Sequence, residues 1–159
     1  MTEKSEDVVI VCALRTPIGA YNGALKNIKS HELGSIIIKG ILEKSKFSSN
    51  EIDEVIMGQV LTTGAGQNPA RQAAVHAGIP ISKSAYIINQ VCGSGLRAVI
   101  SGYQSIKLGE AKNIISGGQE NMSITPHSIF YKDKIHISKD NLINTMTVSY
   151  THLTLPTMS

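Results

Sequence analysis

The sequence contains no tryptophan, and aromatic residues make up only 4% of its 159 positions. Its core must therefore be built from Ile, Val, Leu and Ala rather than from stacked rings. Cysteine is also scarce. Cys12 and Cys92 stand far apart with no CxxC spacing, which excludes a zinc ribbon or a redox dithiol pattern. His31, His76, His127, His136 and His152 show no HExxH or paired ligand spacing, so no metal site is expected. No run of eighteen or more apolar residues occurs, so no membrane-spanning helix is expected. The opening Met1-Thr2-Glu3-Lys4-Ser5-Glu6-Asp7 is polar and acidic, unlike a secretory signal, and points to a reduced, cytoplasmic protein with free thiols. The net charge of +3 is small and unclustered, which leaves no footprint for nucleic acid.

What is present is ordinary globular material. Hydrophobic residues make up 42% and charged residues 17%, too apolar for disorder, over a length suited to one domain. Residues 8–14, Val-Val-Ile-Val-Cys-Ala-Leu, form a continuous β-branched run that predicts a strand covered on both faces. Helical spacing over residues 31–44 puts Leu33, Ile36, Ile37, Gly40 and Ile41 on one side. Ser48-Ser49-Asn50-Glu51 has capping-box spacing, and residues 54–58 read as the next strand. Asn68 is placed to cap a helix beginning at Pro69 and ending near Gly78.

Residues 85–91 again look like a strand, followed by a helical stripe of Leu96, Val99, Ile100, Tyr103 and Ile106 that closes at Gly109. Residues 113–116 supply one more strand. Strands alternating with helices predict an α/β fold with a mainly parallel sheet. Residues 131–141 are charged and aperiodic, as expected of a surface excursion.

Cys92 lies between a predicted strand and a predicted helix. The first turn of a helix carries unpaired N–H groups and the positive end of its dipole, which favours an anion such as a thiolate. Gly93 and Gly95 would remove side chains from the path of an approaching carbonyl, and Ser94 would cap the helix. The arrangement is analogous to a strand–turn–helix nucleophile elbow without being the serine-hydrolase motif. Pattern alone leaves Cys92 open between a nucleophile and a small buried hydrophobe. Cys12, inside an apolar run, is expected to pack. Gly93-Ser94-Gly95 and Gly64-Ala65-Gly66-Gln67 both fall short of a dinucleotide fingerprint, and no phosphate-loop Gly-Lys-Ser/Thr occurs.

The stretch Asn89-Gln90-Val91-Cys92-Gly93-Ser94-Gly95-Leu96-Arg97-Ala98-Val99 closely resembles the nucleophile segment of the thiolases. Three further segments resemble the same family in the same order. They are Val8-Val9-Ile10-Val11 with Arg15-Thr16-Pro17-Ile18-Gly19, then Gly58-Gln59-Val60-Leu61 with Gly66-Gln67-Asn68-Pro69-Ala70-Arg71-Gln72, then Gly117-Gly118-Gln119-Glu120-Asn121-Met122-Ser123. Together they cover about residues 8 to 128, and within the family the biosynthetic, acetyl-CoA acetyltransferase type reads closest.

The resemblance implies the N-terminal half of a thiolase-like α/β fold, with layers in the order αβαβα when both halves are present. It implies an acyltransferase that condenses two acetyl-CoA to acetoacetyl-CoA and CoA, or runs the reverse thiolysis, with Cys92 as acyl-thioester nucleophile. The Cys92 backbone N–H is implied as an oxyanion donor. Coenzyme A thioesters are the implied substrates, with no permanently bound cofactor and no metal. The full-length protein is implied to be a homotetramer or homodimer. The alternatives are a ketoacyl synthase of the same superfamily and a non-catalytic fragment.

The family's second-half parts, a histidine in Gly-His-Pro and a cysteine in Cys-x-Gly-Gly-Gly, do not occur here. Residues 1–122 are expected to form the α/β domain and 123–146 the start of a loop excursion. The likeness stops near Met146, so residues 147–159 are expected to be a non-native ending, with a genuine short tail as the alternative. Alone, the chain is expected to be inactive, to expose apolar surface and to aggregate or fold only in part.

Overall fold

A computed structural model describes residues 7–129, 139 and 142–146. The first helix, α1 (Ser30–Ser45), is closed at its start by the Glu32 carboxylate, whose Oε2 accepts from the Lys29 N–H at 2.8 Å. A 3-10 turn, Ser49–Glu51, follows with the expected capping box: the Ser48 N–H donates to Glu51 Oε2 at 2.7 Å. The chain then alternates through β1 (Glu54–Gly58), α2 (Pro69–His76), β2 (Ser84–Ile88), α3 (Ser94–Lys107) and β3 (Ile114–Gly118). A second 3-10 turn, Met122–Ile124, leads to a two-residue antiparallel pair, β4 (His127–Ser128) with β5 (Ile143–Asn144).

The helix boundaries follow local chemistry. Asn68 Oδ1 accepts from the Arg71 N–H at 3.0 Å, and Pro69 opens α2 where its missing N–H has no cost. Gly78, at φ +89°, ends the helix in the left-handed region that a side chain resists.

The main sheet has the order β2-β1-β3, all parallel, and all three strands run in step. Glu54 stands opposite Ser84 and Ile114, and Gly58 stands opposite Ile88 and Gly118. Side chains alternate across the sheet. Val55 and Met57 of the central strand point into a layer formed by α1 and α2, packing with Ile38, Ala70, Ala73, Ala74, Ile79 and Ile115. Gly58, and with it Ile56, faces the other side, where α3 lies. From Val55 to Gly58 the central strand is buried, and its apolar Val-Ile-Met run reads accordingly.

Two expectations from the sequence are corrected here. Residues 8–14 form no strand; Val9, Ile10 and Val11 are 68–79% exposed. The run has the composition of a buried strand, but pairing needs a neighbour at strand spacing. Instead it lies across an apolar cleft of about 1310 Å³ from β3, whose outer edge has no strand beside it among the described residues. Cys12 accordingly lines this cleft half-exposed rather than packing in a core. The second correction concerns β2, which was expected over residues 85–91. It occupies the sheet edge with Ser84 and Tyr86 exposed, and it ends at Ile88.

Candidate active site at the carboxyl edge of the sheet

In parallel α/β sheets, binding sites gather beyond the carboxyl ends of the strands. Here those ends are Gly58, Ile88 and Gly118. After Ile88 the chain turns through residues 89–93 into α3, and Cys92 sits exposed on that turn.

The turn is held by a short network. The Val91 N–H donates to Asn89 Oδ1 at 3.0 Å, and the Gly93 N–H donates to the Gln90 carbonyl at 3.0 Å. Ser94 Oγ accepts from the Gln90 N–H at 2.8 Å and donates to the Val91 carbonyl at 2.6 Å. Val91 itself has φ +51°, in the left-handed region that a β-branched residue avoids. Gly93 is the helix cap, so Cys92 stands one residue ahead of the cap, just outside the first turn. Its own N–H has no hydrogen-bond partner among the described residues.

Ser94 and Gly95 do not have the roles expected of them. Ser94 is the first helical residue, 4% exposed, and its hydroxyl ties back to Gln90 and Val91 instead of capping. Gly95 faces the sheet, not the path of a substrate: a Cβ there would meet Gly118 backbone at 3.7 Å. A Cβ on Gly58 would come within 2.5 Å of the Gly95 nitrogen, backbone that cannot swing aside. Gly58, Gly95 and Gly118 therefore let the tip of α3 rest directly on the strand ends. The glycines set the seat of the helix, and the seat sets where Cys92 projects.

Three consecutive polar side chains after β3 brace the neighbouring loops, a role that sequence reasoning missed. Gln119, 6% exposed, donates through Nε2 to Gln59 Oε1 at 2.8 Å. The Glu120 carboxylate accepts from the Val60 N–H at 2.8 Å and from the Leu61 N–H at 3.3 Å. Burial raises the Glu120 pKa, and those two N–H donors pull it partly back. Asn121 Nδ2 reaches the carbonyls of Leu25, Lys26 and Ile28, the last at 2.6 Å. The signal was available as three adjacent amide or carboxyl side chains directly after a strand end, where backbone N–H and C=O groups lack ladder partners.

The histidines lie elsewhere. His31 on α1 and His76 on α2 face each other with ring centroids 5.4 Å apart, on the sheet face opposite α3. Burial lowers the His31 pKa, with Glu32 opposing and His76 and Lys29 adding to the shift. His127 is in β4, and His136 and His152 lie outside the described residues. Among the described residues, no three His, Cys, Asp or Glu side chains gather where they could hold a metal ion.

The chain is of the α/β class, with a parallel sheet and an exposed thiol on a strand-to-helix turn at its carboxyl edge. The thiolase N-terminal domain family matches residues 8–155, and the chain belongs to that family. The match extends past Met146 into residues 147–159, a segment outside the described residues. The chain is 50% identical over 139 residues to the acetyl-CoA acetyltransferase of Rhizobium meliloti, covering 87% of this chain and 35% of that protein. It is 57% identical over 122 residues to the probable acetyl-CoA acetyltransferase of Escherichia coli, covering 77% and 31%. To the cytosolic acetyl-CoA acetyltransferase of Mus musculus it is 50% identical over 127 residues, covering 80% and 32%. The chain thus spans about a third of the length of these relatives.

Proposed function

We propose that this chain is the nucleophile-bearing portion of an acetyl-CoA acetyltransferase, with Cys92 as the residue that becomes acylated. The observation that carries the reading is the placement of Cys92: exposed, on the turn between β2 and α3, within the matched region. In the first step the Cys92 thiolate attacks the carbonyl carbon of acetyl-CoA. A carbon–sulfur bond to Cys92 forms, the bond to the coenzyme A sulfur breaks, and coenzyme A leaves as a thiol after taking up a proton. The unengaged Cys92 N–H is available to the oxyanion of the tetrahedral intermediate.

In the second step a carbanion from another acetyl-CoA attacks the acetyl-cysteine, expels the thiolate and yields acetoacetyl-CoA; thiolysis is the reverse. The base that removes the α-proton, and the group that activates Cys92, are read as belonging to the remaining two thirds of the relatives' length, since the Gly-His-Pro and Cys-x-Gly-Gly-Gly segments of the thiolases do not occur in these 159 residues. The apolar stripe Leu96, Ile100 and Tyr103 on α3, 39–68% exposed, is read as surface that this remaining chain covers. The substrates are coenzyme A thioesters with no resident cofactor, and the full-length protein is a cytoplasmic homotetramer or homodimer. No described helix is long and apolar enough to cross a membrane.

The test is to incubate the full-length protein with acetyl-CoA and look by mass spectrometry for an acetyl group on the Cys92 peptide. The adduct forms in the wild type and is absent in Cys92→Ala, with condensation activity lost by about three orders of magnitude or more. Folded wild-type protein that stays unmodified sinks the reading. Modification only from a carrier-protein thioester would assign the chain to the ketoacyl synthases instead.

A further inference from the structure

The turn that carries Cys92 contains a conformation its own sequence disfavours. Val91 is β-branched and 51% exposed, so packing does not force it into place, yet it sits at φ +51°. Hydrogen bonds hold it there. Ser94 contributes most: its Oγ donates to the Val91 carbonyl at 2.6 Å, and its backbone N–H donates to the same oxygen at 3.1 Å. The same Oγ accepts from the Gln90 N–H at 2.8 Å, so one hydroxyl ties the 89–90 peptide to the 91–92 peptide and brackets residues 90 and 91 between them. Asn89 Oδ1 takes the Val91 N–H at 3.0 Å and completes the clamp. Ser94 is itself enclosed by packing. It is 4% exposed, and its backbone lies against Gly58, where a Cβ would collide with it. The direction in which Cys92 leaves the turn depends on φ and ψ of the residue before it.

We infer that Ser94 is a positioning residue: its buried hydroxyl locks Val91 in the left-handed region and thereby aims the Cys92 sulfur. The inference deepens the acyl-acceptor reading above and rests on it. Without the hydroxyl, Val91 relaxes toward negative φ and Cys92 turns away from the attack geometry, where small misplacement is costly. A glycine in place of Val91 has no such preference, so the clamp matters less in a Val91→Gly variant.

A double-mutant cycle on full-length protein reads this directly. The rate of Cys92 acylation by acetyl-CoA is measured by quenched-flow mass spectrometry in wild type, Ser94→Ala, Val91→Gly and the double variant. With Val91 in place, Ser94→Ala slows acylation by about tenfold or more, with KM little changed. In the Val91→Gly background the same substitution slows it by less than about threefold. A purely structural role for Ser94 would give equal losses in both backgrounds, and that result overturns the inference. If Ser94→Ala fails to fold, Asn89→Ala, an exposed substitution that removes the other half of the clamp, goes through the same cycle. Its loss must likewise shrink in the Val91→Gly background, or the inference falls. Wild-type protein that never acylates Cys92 overturns the acyl-acceptor reading and this inference together. Wild-type acylation with background-independent losses overturns this inference alone.

Discussion

The two ends of the sheet solve the same problem with the same device and reach opposite electrostatic results. At the amino end, Asp53 precedes β1, and its Oδ2 accepts from the Lys112 and Asn113 N–H groups at 2.9 and 3.1 Å. At the carboxyl end, Glu120 follows β3 and accepts from the Val60 and Leu61 N–H groups. Each carboxylate stitches backbone that a sheet edge leaves unpaired. Yet the Asp53 pKa is lowered, by those two N–H bonds first and Lys83 at 3.5 Å last, while the Glu120 pKa is raised, by burial first. At the amino end the bonds outweigh a small desolvation; at the carboxyl end desolvation outweighs the bonds. Glu120 is the more desolvated of the two carboxylates, and it stands at the end of the sheet that carries the exposed Cys92.

The seat of α3 shows the same asymmetry in packing, and substitutions there have the largest expected effect on stability. At the carboxyl end the helix rests on backbone: a Cβ at Gly58 would lie 2.5 Å from the Gly95 nitrogen. Toward the amino end, Gly102 sits over β3, but the nearest atoms a Cβ there would meet are side-chain ones, the Ile114 Cγ2 methyl at 3.3 Å and Ser116 Oγ at 3.5 Å. Side chains yield by a few tenths of an ångström; backbone does not. Gly58→Ala should therefore destabilise by about 3 kcal/mol or more. Gly102→Ala should fall within about 1 kcal/mol of neutral, since the helix propensity of Ala offsets a soft contact. Urea titration of full-length protein compares the two. Equal costs would mean that α3 is seated evenly along its length and would remove the distinction.

Much of this frame was legible in residues 48–118, because each element there is fixed by its own local chemistry. Asn68 and Pro69 open a helix wherever they occur together before apolar spacing, and Gly78 ends one because only a glycine accepts φ +89° readily. The central strand was readable because burial on both faces removes the need for alternation. Residues 8–14 carry the same kind of sequence and form no strand, since composition specifies readiness to pair but not the presence of a neighbour. At the candidate site, Cys92 was singled out by its place between strand and helix, where the structure puts it, and by family likeness. The work of Ser94, Gly58 and Glu120 was not. Each acts through a partner 3 to about 60 positions away, on hydrogen bonds or close backbone contacts that spacing along one element does not encode.

The smallest effect sharpens the electrostatic half of the comparison. A carboxyl whose folded pKa is lowered stabilises the fold above its unfolded value, and that contribution is lost as pH falls through the folded value. Asp53 is of this kind, so Asp53→Asn should flatten the acid limb below about pH 4. A carboxyl whose folded pKa is raised behaves in reverse: its contribution is complete below the unfolded value of about 4.3 and is lost as pH rises through the folded value. Glu120 is of that kind, so Glu120→Gln should remove a decline in stability that starts near pH 4 and runs upward. The glutamine keeps an acceptor for Val60 or Leu61 without a charge to desolvate, so the variant gains on wild type as pH rises from about 4 toward neutrality. Thermal midpoints of full-length protein across that range provide the measurement. A Glu120→Gln curve parallel to wild type would show that Glu120 is no drier than Asp53, and the contrast between the two sheet ends would fail.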